Sequence, residues 1–341
     1  MSSPASTADV TIIVTPRERF SFAVESLESV IANTAKPYQL IYVDIGMSGA
    51  PRAGVERLCA EHGFTLIRTT HFVGPNHARN LALEEVRTRH VVFIENDVMV
   101  ERGWLPALVA CAEEAGAAMV MPLLCQGLPL HTVVHCAGGL CAIEEGVADG
   151  RPFRRYVEQI FDQRRSAAEL RPTLQRRPTE LAEVHCLLVR TDVLRSIGPL
   201  DERLLGTREH IDLCLRVQAL GLPIMFEPAA CATFADDAPL TLADLPYYML
   251  RWSDEWERTS IAHWRRKWRV DVDDGLQLRM RNIGWRRRAY LLWPLVTRVV
   301  PGETPQRIAM RVLSIVERGV NTLFARGHGL LGRRDRPAAR A

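Results

Sequence analysis

The sequence predicts an α/β protein built on a mostly parallel sheet that is flanked by helices. Short β-branched, apolar runs alternate with segments of helical periodicity through the first third of the chain. Each predicted strand is continuously apolar, which is typical of a parallel strand buried on both faces. The composition, 47% hydrophobic and 24% charged, is that of a globular chain and excludes a disordered or fibrous protein.

The predicted elements alternate in a regular order as far as the middle of the chain. They are strand 11–15, helix 22–33, strand 40–44, helix 51–62, strand 65–68, helix 76–86, strand 90–94, helix 104–116, strand 119–123, strand 184–189, helices 191–197 and 209–220, and strand 224–226. Between 126 and 177 the pattern loosens and predicts loops, hairpins and one short helix. Ligands of such sheets bind beyond the carboxyl ends of the strands, so the chemistry is expected just after each strand.

The length of 341 residues exceeds what one compact core usually fills. We therefore expect a catalytic and ligand-binding domain over 1–240 and a helical, basic extension over 241–341. The charge is divided in the same way, because residues 264–341 hold 18 basic and 6 acidic side chains whereas the rest of the chain holds 25 and 34. A basic tail on a mildly acidic body indicates that the tail meets an anionic surface.

The sequence also predicts the compartment. Eight cysteines without CxxC spacing are typical of a reduced, intracellular protein rather than a disulfide scaffold. The first residues lack the features of a signal peptide, and no apolar stretch is long enough for a conventional transmembrane helix. We therefore expect a cytoplasmic protein, or one bound peripherally to the inner face of the cell membrane.

An acidic triplet follows the fourth predicted strand. Glu95, Asn96 and Asp97 place two carboxylates two residues apart just past a buried strand. Carboxylate oxygens are the ligands that Mg²⁺ and Mn²⁺ prefer, and both cations leave positions open for phosphate oxygens. The triplet therefore predicts a Mg²⁺ or Mn²⁺ site for a bound diphosphate, with Asp97 and Glu95 as metal ligands. The alternative interpretation is a polar turn, in which Asn and Asp are common for conformational reasons alone.

An ordered set of segments from about residue 10 to 230 resembles the family 2 glycosyltransferases, which are inverting enzymes with the nucleotide-diphospho-sugar-binding fold called GT-A. The segments that carry the resemblance are TIIVTPR (11–17), YVDIGMS (42–48), FVGPNHARNLA (72–82), VFIENDVMVERGWL (92–105), LLVR (187–190), IGPLDERLL (197–205) and REHIDLCLR (208–216). In the family the second strand usually ends in an Asp followed by Gly-Ser, and YVDIGMS (42–48) matches that ending only in part.

The resemblance implies which residues bind the nucleotide sugar. These are Thr15, Pro16, Arg17, Asp44, Arg79, Glu95 and Asn96. Asp44 would accept hydrogen bonds from the base or the ribose, although an aspartate that caps the next turn is an equally good interpretation. Arg79 would reach the diphosphate as a bidentate donor, and its alternative is an arginine that pairs with a neighbouring glutamate.

The resemblance also implies where the catalytic base lies. Inverting transfer needs a group that deprotonates the acceptor hydroxyl, and the family usually supplies it from an acidic pair that opens a helix. Here the pair is Glu209-His210, so a histidine replaces the aspartate. Glu209 is one candidate base, His210 is the competing candidate because imidazole titrates near neutrality, and Asp212 would orient either one.

A third metal ligand is less clearly marked. Many relatives supply a histidine downstream of the last strand, whereas this chain has Asp236 and Asp237 there. Either aspartate, or the diphosphate and water, would complete the coordination. His263 is a further candidate, although its spacing favours a residue on a helix face.

The C-terminal part combines arginines with apolar residues. Segment 285–300 joins an arginine cluster to an apolar run too short to span a bilayer, and 306–323 continues with an amphipathic pattern. Together, 285–323 predict an interfacial helix pair on an anionic membrane. The alternative is a helical extension docked on the catalytic domain or on a second subunit. Nucleic-acid binding is not expected, because no nucleic-acid motif accompanies the arginines.

The sequence as a whole predicts an inverting, metal-dependent glycosyltransferase that moves a sugar from a nucleotide-diphosphate donor to a hydroxyl acceptor on a polysaccharide, glycolipid or glycoprotein. Two alternatives remain open. One is a nucleotidyltransferase, for which the loop after the first strand is a poor match. The other is a catalytically inactive scaffold of the same fold at the membrane surface, which the replacement at His210 keeps in consideration.

Overall fold

The computed structural model describes residues 9–236, 238–272 and 274–334. The strands are Val10–Thr15 (β1), Gln39–Asp44 (β2), Thr65–Arg68 (β3), His90–Glu95 (β4), Val98–Val100 (β5), Met119–Gln126 (β6), Val133–Cys136 (β7), Gly139–Ala148 (β8), Arg151–Ile160 (β9), Arg177–Pro178 (β10), Cys186–Arg190 (β11) and Ile224–Phe234 (β12).

The helices lie between these strands and after the last of them. They are Ala23–Asn33 (α1, after the 3₁₀ turn Phe20–Phe22), Gly49–His62 (α2), Pro75–Leu83 (α3), Trp104–Ala115 (α4), Ala167–Leu170 (α5), Thr191–Ile197 (α6), Glu209–Gln218 (α7), Leu245–Arg251 (α8), Asp254–Trp268 (α9), Asp274–Arg281 (α10), Trp285–Arg287 (α11, continued by the π turn Arg288–Leu292), Trp293–Val299 (α12) and Glu303–Arg334 (α13).

One sheet organises the described part of the chain. Its order is β10-β12-β6-β11-β4-β1-β2-β3, with β5 paired to β12 and β7 paired to β6. Strands β4, β1, β2 and β3 are parallel, as their buried, continuously apolar sequences predict. The other half of the sheet is mixed, because β11 runs antiparallel to both β4 and β6. The α/β fold is confirmed, and its antiparallel half was not predicted.

The register of the central strands determines where the polar loops emerge. Thr15 of β1 pairs with Glu95 of β4, so the loops that follow both strands leave the sheet side by side. Cys186 of β11 pairs with Ile94, and the Glu95 amide donates to the carbonyl of His185. The segment that leads into β11 therefore arrives at the same edge from the opposite direction.

Two elements differ from the sequence prediction. Strand β12 covers eleven residues, Ile224–Phe234, whereas the prediction ended at 226. A register shift between Glu227 and Cys231 interrupts the apolar pattern, and the strand resumes beyond it to pair with β5. The three-residue β5 was not predicted, because it directly follows the acidic triplet and is too short to give a periodic signal.

The loosened segment contains what its pattern predicts. Strands β8 and β9 form a separate two-stranded antiparallel hairpin, and the single turn of helix α5 follows it. After β12 the described chain is helical, which agrees with the predicted extension. The boundary at residue 240 stays a prediction.

Candidate active site

The acidic triplet is joined to the loop after β1 through Asn96. The Asn96 amide donates to the carbonyl of Thr15, and its side-chain Oδ1 accepts a 2.7 Å hydrogen bond from the backbone amide of Arg17. The Asn96 Nδ2 donates to the carbonyl of Arg19 at 3.3 Å. Asn96 therefore fixes the loop that was predicted to line the nucleotide, and it does so with its own side chain buried.

Glu95 is surrounded by cationic and imidazole groups. Its Oε1 lies 3.3 Å from Nη2 of Arg79, and its Oε2 lies 3.4 Å from Nη1 of Arg17 and 2.5 Å from Nδ1 of His185. Burial alone would raise the pKa of Glu95, but His185 and the Arg17 guanidinium hold it well below the usual range. Glu95 is therefore an ionised, fully buried carboxylate whose two oxygens already have partners.

Asp97 has the opposite surroundings. Its side chain is 1% exposed, and no hydrogen-bond partner for Oδ1 exists among the described residues. The pKa of Asp97 is raised to about 7, chiefly by burial and also by the nearby Glu95 and Glu18 carboxylates, against the attraction of Arg17. A buried carboxylate oxygen without a partner is costly unless a ligand satisfies it, so Asp97 fits a divalent cation better than Glu95 does.

Arg251 of α8 connects the triplet to the start of α7. Its Nη2 lies 3.1 Å from Oε1 of Glu209 and 3.9 Å from Oε1 of Glu95, and its Nε lies 3.3 Å from Oε2 of Glu18. The Glu209 and Glu95 oxygens are therefore no farther apart than the sum of the first two distances. The helix start that carries the candidate bases and the acidic triplet thus lie at one site.

A glycine lets α8 approach closely enough for this contact. A Cβ atom added at Gly206 would lie 2.5 Å from the carbonyl oxygen of Arg251, which is closer than side chains normally approach backbone. The loop before α7 therefore packs directly against the end of α8.

The three candidate residues at the start of α7 point in different directions. Glu209 is buried, and its Oε2 has no hydrogen-bond partner within the described chain. His210 Nε2 lies 3.7 Å from Oε1 of Glu183. Asp212 faces α9, where Lys267 and the indole of Trp268 donate to it at 2.8 Å. Asp212 therefore joins two helices, and these contacts do not involve Glu209 or His210.

The remaining predicted nucleotide residues occupy distinct positions. Thr15, Pro16 and Arg17 are buried at the end of β1. Asp44 accepts hydrogen bonds from the amides of Gly46 and Met47 at 2.9 and 2.8 Å, so the turn-capping alternative describes one of its oxygens.

The other Asp44 oxygen lies 3.5 Å from Nε of Arg68. Arg79 is buried and pairs with Glu95, and its Nε has no partner in the part of the chain that is described. The pairing alternative for Arg79 is therefore present, with a buried rather than a surface arginine.

The candidates for a third metal ligand differ in their distance from the acidic triplet. Asp236 accepts a 3.2 Å hydrogen bond from the Tyr290 hydroxyl and lies 3.5 Å from Nη1 of Arg286. The neighbouring Ala235 amide donates to the carbonyl of Asp97, so Asp236 lies near the triplet. Asp237 is outside the described residues. His263 bonds to Asp201 at 2.8 Å on the face of α9, as its spacing predicts.

Protein side chains alone do not complete a metal site. Among residues 9–236, 238–272 and 274–334, no group of three or more histidine, cysteine or carboxylate side chains is arranged to hold a metal ion. A cation bound to Asp97 would therefore need oxygens from a ligand or from water.

Sequence reasoning missed three residues of this site. Glu18, His185 and Arg251 each contact Arg17, Glu95 or Glu209. His185 interrupts an apolar strand sequence, and that polar position was a usable signal. Arg251 gave none, because only the packing of α8 brings it to the triplet.

A second surface lies on the C-terminal helices. Helix α13 is anchored by Arg287, which is fully buried and lies 2.6 Å from Asp254 and 2.5 Å from Glu317. The opposite side of α12 and α13 exposes a set of large apolar side chains, namely Leu295, Val299, Ile308, Val312, Ile315, Val316, Val320 and Leu323. Exposed arginines lie among them, namely Arg298, Arg307, Arg311 and Arg318. No helix of the described chain is long and apolar enough to cross a membrane.

Comparison with known proteins gives the family context. Residues 11–125 match the model of the family described as glycosyl transferase family 2. The pre-mycofactocin glycosyltransferases of Mycobacterium tuberculosis strains CDC 1551 / Oshkosh and ATCC 25618 / H37Rv are each 25% identical over 222 residues, which is 65% of this chain. The chain spans 42% of the length of these curated relatives.

Solved structures share the fold. The crystal structure of GalNAc-T7 with UDP, GalNAc and Mn²⁺ superposes with a TM-score of 0.50 at 13% identity, covering 83% of this chain and 58% of that one. At this identity the likeness shows the GT-A fold alone.

Proposed function

This chain carries a glycosyltransferase domain of family 2 with the GT-A fold, and from that premise we propose that it moves a sugar, with inversion, from a nucleotide-diphosphate donor to a hydroxyl acceptor. The observation that carries the proposal is Asp97, a buried carboxylate with an unpartnered oxygen at the site where Glu95, Arg251 and Glu209 meet.

Asp97 is proposed to hold a Mg²⁺ or Mn²⁺ ion, with Glu95 acting through water or on the sugar. Such a cation, when bound, stabilises negative charge on the leaving diphosphate. Asp97 supports this role because its Oδ1 has no hydrogen-bond partner among the described residues, whereas both Glu95 oxygens are already paired. The crystal structure of GalNAc-T7, which has the same fold, contains UDP, GalNAc and Mn²⁺.

The protein groups around the cation are proposed to bind and orient the donor. Thr15, Pro16 and Arg17 would line the nucleotide, Asp44 would contact the base or ribose, and Arg79 would donate to the diphosphate. Arg79 supports this because its Nε is unpartnered in the described structure and its guanidinium is already buried at Glu95. A donor phosphate would add a second counter-charge without moving the arginine.

The start of α7 is proposed to supply the base that takes the proton of the acceptor hydroxyl. Its position within reach of the donor side is supported by Arg251, which contacts both Glu209 and Glu95. The base makes the oxygen nucleophilic as it attacks the anomeric carbon from the face opposite the leaving group, which inverts the configuration.

The acceptor is proposed to lie at a membrane surface. The arginines and apolar side chains of α12 and α13 are exposed together, and charge complementarity favours anionic headgroups. A glycolipid, a polysaccharide or a glycoprotein made at the inner face of the cell membrane fits that placement.

Release of the nucleoside diphosphate tests this proposal. The protein is incubated with UDP-, GDP- and dTDP-sugars in the presence of Mn²⁺ or Mg²⁺, and the free diphosphate is measured. We expect release from one donor class, its loss with EDTA, and its loss in the Asp97→Ala variant, whose circular dichroism spectrum should be unchanged. Full activity of that variant would refute the metal assignment. No release from any donor would favour the inactive scaffold.

A further inference from the structure

Three imidazoles surround one buried carboxylate next to the start of α7. Glu183 Oε1 lies 3.7 Å from Nε2 of His210 and 3.9 Å from Nε2 of His135. The ring of His185 lies 5.7 Å from that of His135, in an edge-on arrangement. Glu183 itself is 7% exposed, so this is a desolvated group of titratable side chains.

Two of the three rings are already held by other groups. His135 Nδ1 bonds to Oε1 of Gln126 at 2.8 Å, and His185 Nδ1 bonds to Glu95 at 2.5 Å. His210 differs, because its Nε2 faces Glu183 and has no hydrogen-bond partner within the described residues. The distance of 3.7 Å to Oε1 is that of an ion pair when the ring is protonated and is longer than a direct hydrogen bond.

Glu183 carries a negative charge in this environment. Burial by itself would raise its pKa, but His210, His135 and His185 together hold the pKa of Glu183 well below its usual range. A buried carboxylate that remains ionised beside an imidazole fixes the orientation of the ring and stabilises its protonated form.

His210 also belongs to the helix start that reaches the acidic triplet through Glu209 and Arg251. It directly follows Glu209, whose Oε1 shares Arg251 with Glu95. Glu183 and His185 are two residues apart, so the same segment supports Glu95 through His185 and His210 through Glu183.

On the premise of the proposed glycosyl transfer, we propose that His210 is the general base and that Glu183 is its positioning residue. The replacement of the family's aspartate by His210 is then compensated by a carboxylate from a different element. The proposal rests on the proximity of His210 at the start of α7 to a buried glutamate before β11.

The step balances as a single displacement. The acceptor O–H bond breaks, and its proton goes to the free ring nitrogen of neutral His210. The acceptor oxygen forms a bond to the anomeric carbon of the sugar. The bond from that carbon to the diphosphate oxygen breaks, and its electron pair leaves with the diphosphate. The imidazolium that results is stabilised by Glu183.

Glu209 is a weaker base candidate for an electrostatic reason. Its carboxylate is a counter-charge of the buried Arg251 guanidinium at 3.1 Å. Protonation of Glu209 would remove one of the three carboxylates that compensate this buried guanidinium, the others being Glu18 and Glu95, and weakening such a pairing is costly. Its unpartnered Oε2 is better suited to accept a hydrogen bond from a sugar or acceptor hydroxyl.

The pH profile of kcat tests the assignment with the full chain and the donor and metal that support turnover. The titratable group that faces His210 is Glu183 before β11, which is itself surrounded by His135 on β7 and His185 before β11, and Glu209 is adjacent to His210 on α7. In the unmodified protein kcat should fall at acidic pH, where a base that must be neutral takes up a proton, and Glu209→Gln should retain this acid limb.

Three further variants complete the experiment. His210→Gln should lower kcat about 100-fold or more with donor affinity unchanged, because only proton transfer is removed. Glu183→Gln should lower kcat about tenfold and move the acid limb to lower pH, since the imidazolium loses its counter-charge. His62→Gln, at the remote end of α2, is the matched control and should behave as the unmodified protein.

The outcomes distinguish failure of the proposed glycosyl transfer from failure of the proposed roles of His210 and Glu183. If the unmodified protein binds no nucleotide sugar and releases no diphosphate, the proposed function fails and the pair has no reaction to serve. If turnover is normal but Glu183→Gln leaves the acid limb unmoved, or if His210→Gln retains kcat within threefold, the pair alone is refuted. Loss of the acid limb in Glu209→Gln would identify Glu209 as the base instead.

Discussion

Substituting Asp97 by Asn should change stability in a way that depends on pH. In the folded chain burial raises the pKa of Asp97 from 3.8 to about 7. Above the unfolded value the unfolded chain releases the proton and the folded chain keeps it, so rising pH favours unfolding until pH 7 is passed. The stability that the protonated form supplies is therefore complete below about pH 4 and lost above 7.

The magnitude follows from the same two values. With about 1.4 kcal/mol for each pH unit of separation, the ionised Asp97 costs about 4 kcal/mol at pH 8 and about 2 kcal/mol at pH 5. Asparagine has almost the same shape and does not ionise. The free energy of unfolding of Asp97→Asn, relative to the unmodified protein, should therefore rise by roughly 2 to 3 kcal/mol from pH 5 to pH 8.

Urea unfolding in EDTA at the two pH values measures this difference, and any constant effect of the amide cancels. Asp244→Asn is the matched control, because Asp244 is buried but accepts hydrogen bonds from Ser21 and Thr241. It should destabilise the protein at both pH values, since an amide nitrogen would replace an accepting oxygen. A difference for Asp97→Asn that does not change with pH would refute the description of Asp97 as a desolvated, unpaired carboxylate.

Three further predictions concern the C-terminal helices and the approach of α8. Ile315→Glu combined with Leu323→Glu should abolish sedimentation of the protein with anionic liposomes. Its stability should be unchanged, because both side chains are exposed. Liposome binding equal to that of the unmodified protein would refute the membrane proposal. Arg287→Met should lower the free energy of unfolding, measured by urea titration, by about 3–5 kcal/mol, because the buried carboxylates of Asp254 and Glu317 lose their partner. A decrease below about 1 kcal/mol would contradict that pairing. Gly206→Ala should lower kcat at least tenfold, because the added methyl group displaces Arg251. The control is Gly319→Ala on α13, where an added Cβ meets no atom within 4 Å. Equal kcat values for the two variants would contradict a role for the close approach of α8.

The sequence predicted the parallel half of the sheet because local pattern determines it. Strands β1 to β4 are short apolar runs separated by amphipathic helices, and their ends agree with prediction within about two residues. Strand β12 was cut short, because the register shift after Glu227 breaks the apolar run while the strand continues. Strand β11 pairs with β4 and β6, and nearly a hundred residues of sequence separate it from β4. A local sequence pattern cannot predict such a pairing.

The candidate site was predictable where motif order carries it and not where packing does. Glu95, Asp97 and Glu209 were selected from the sequence, and the structure brings Glu95 and Glu209 to the same arginine. Arg251, which links them, is the last residue of the short helix α8 and gave no signal in the sequence. Glu183 precedes the predicted strand 184–189 and was not a candidate, and only the fold shows it beside His210.

Asp44 illustrates how one residue can satisfy two interpretations. Its Oδ1 caps the turn at Gly46 and Met47, as a conformational interpretation predicts. The same turn holds the carboxylate at the end of β2, where a nucleotide would be contacted. The nucleotide role of Asp44 therefore stays a prediction beside the observed cap.

Isothermal titration calorimetry of UDP-, GDP- and dTDP-sugars tests the central claim most directly. With Mn²⁺ present, the unmodified chain should bind one donor class, and the heat should vanish both in EDTA and in Asp97→Asn. Donor binding of equal affinity in that variant, or no binding by the unmodified chain across all three donor classes, would contradict a metal-dependent nucleotide-sugar site at Asp97.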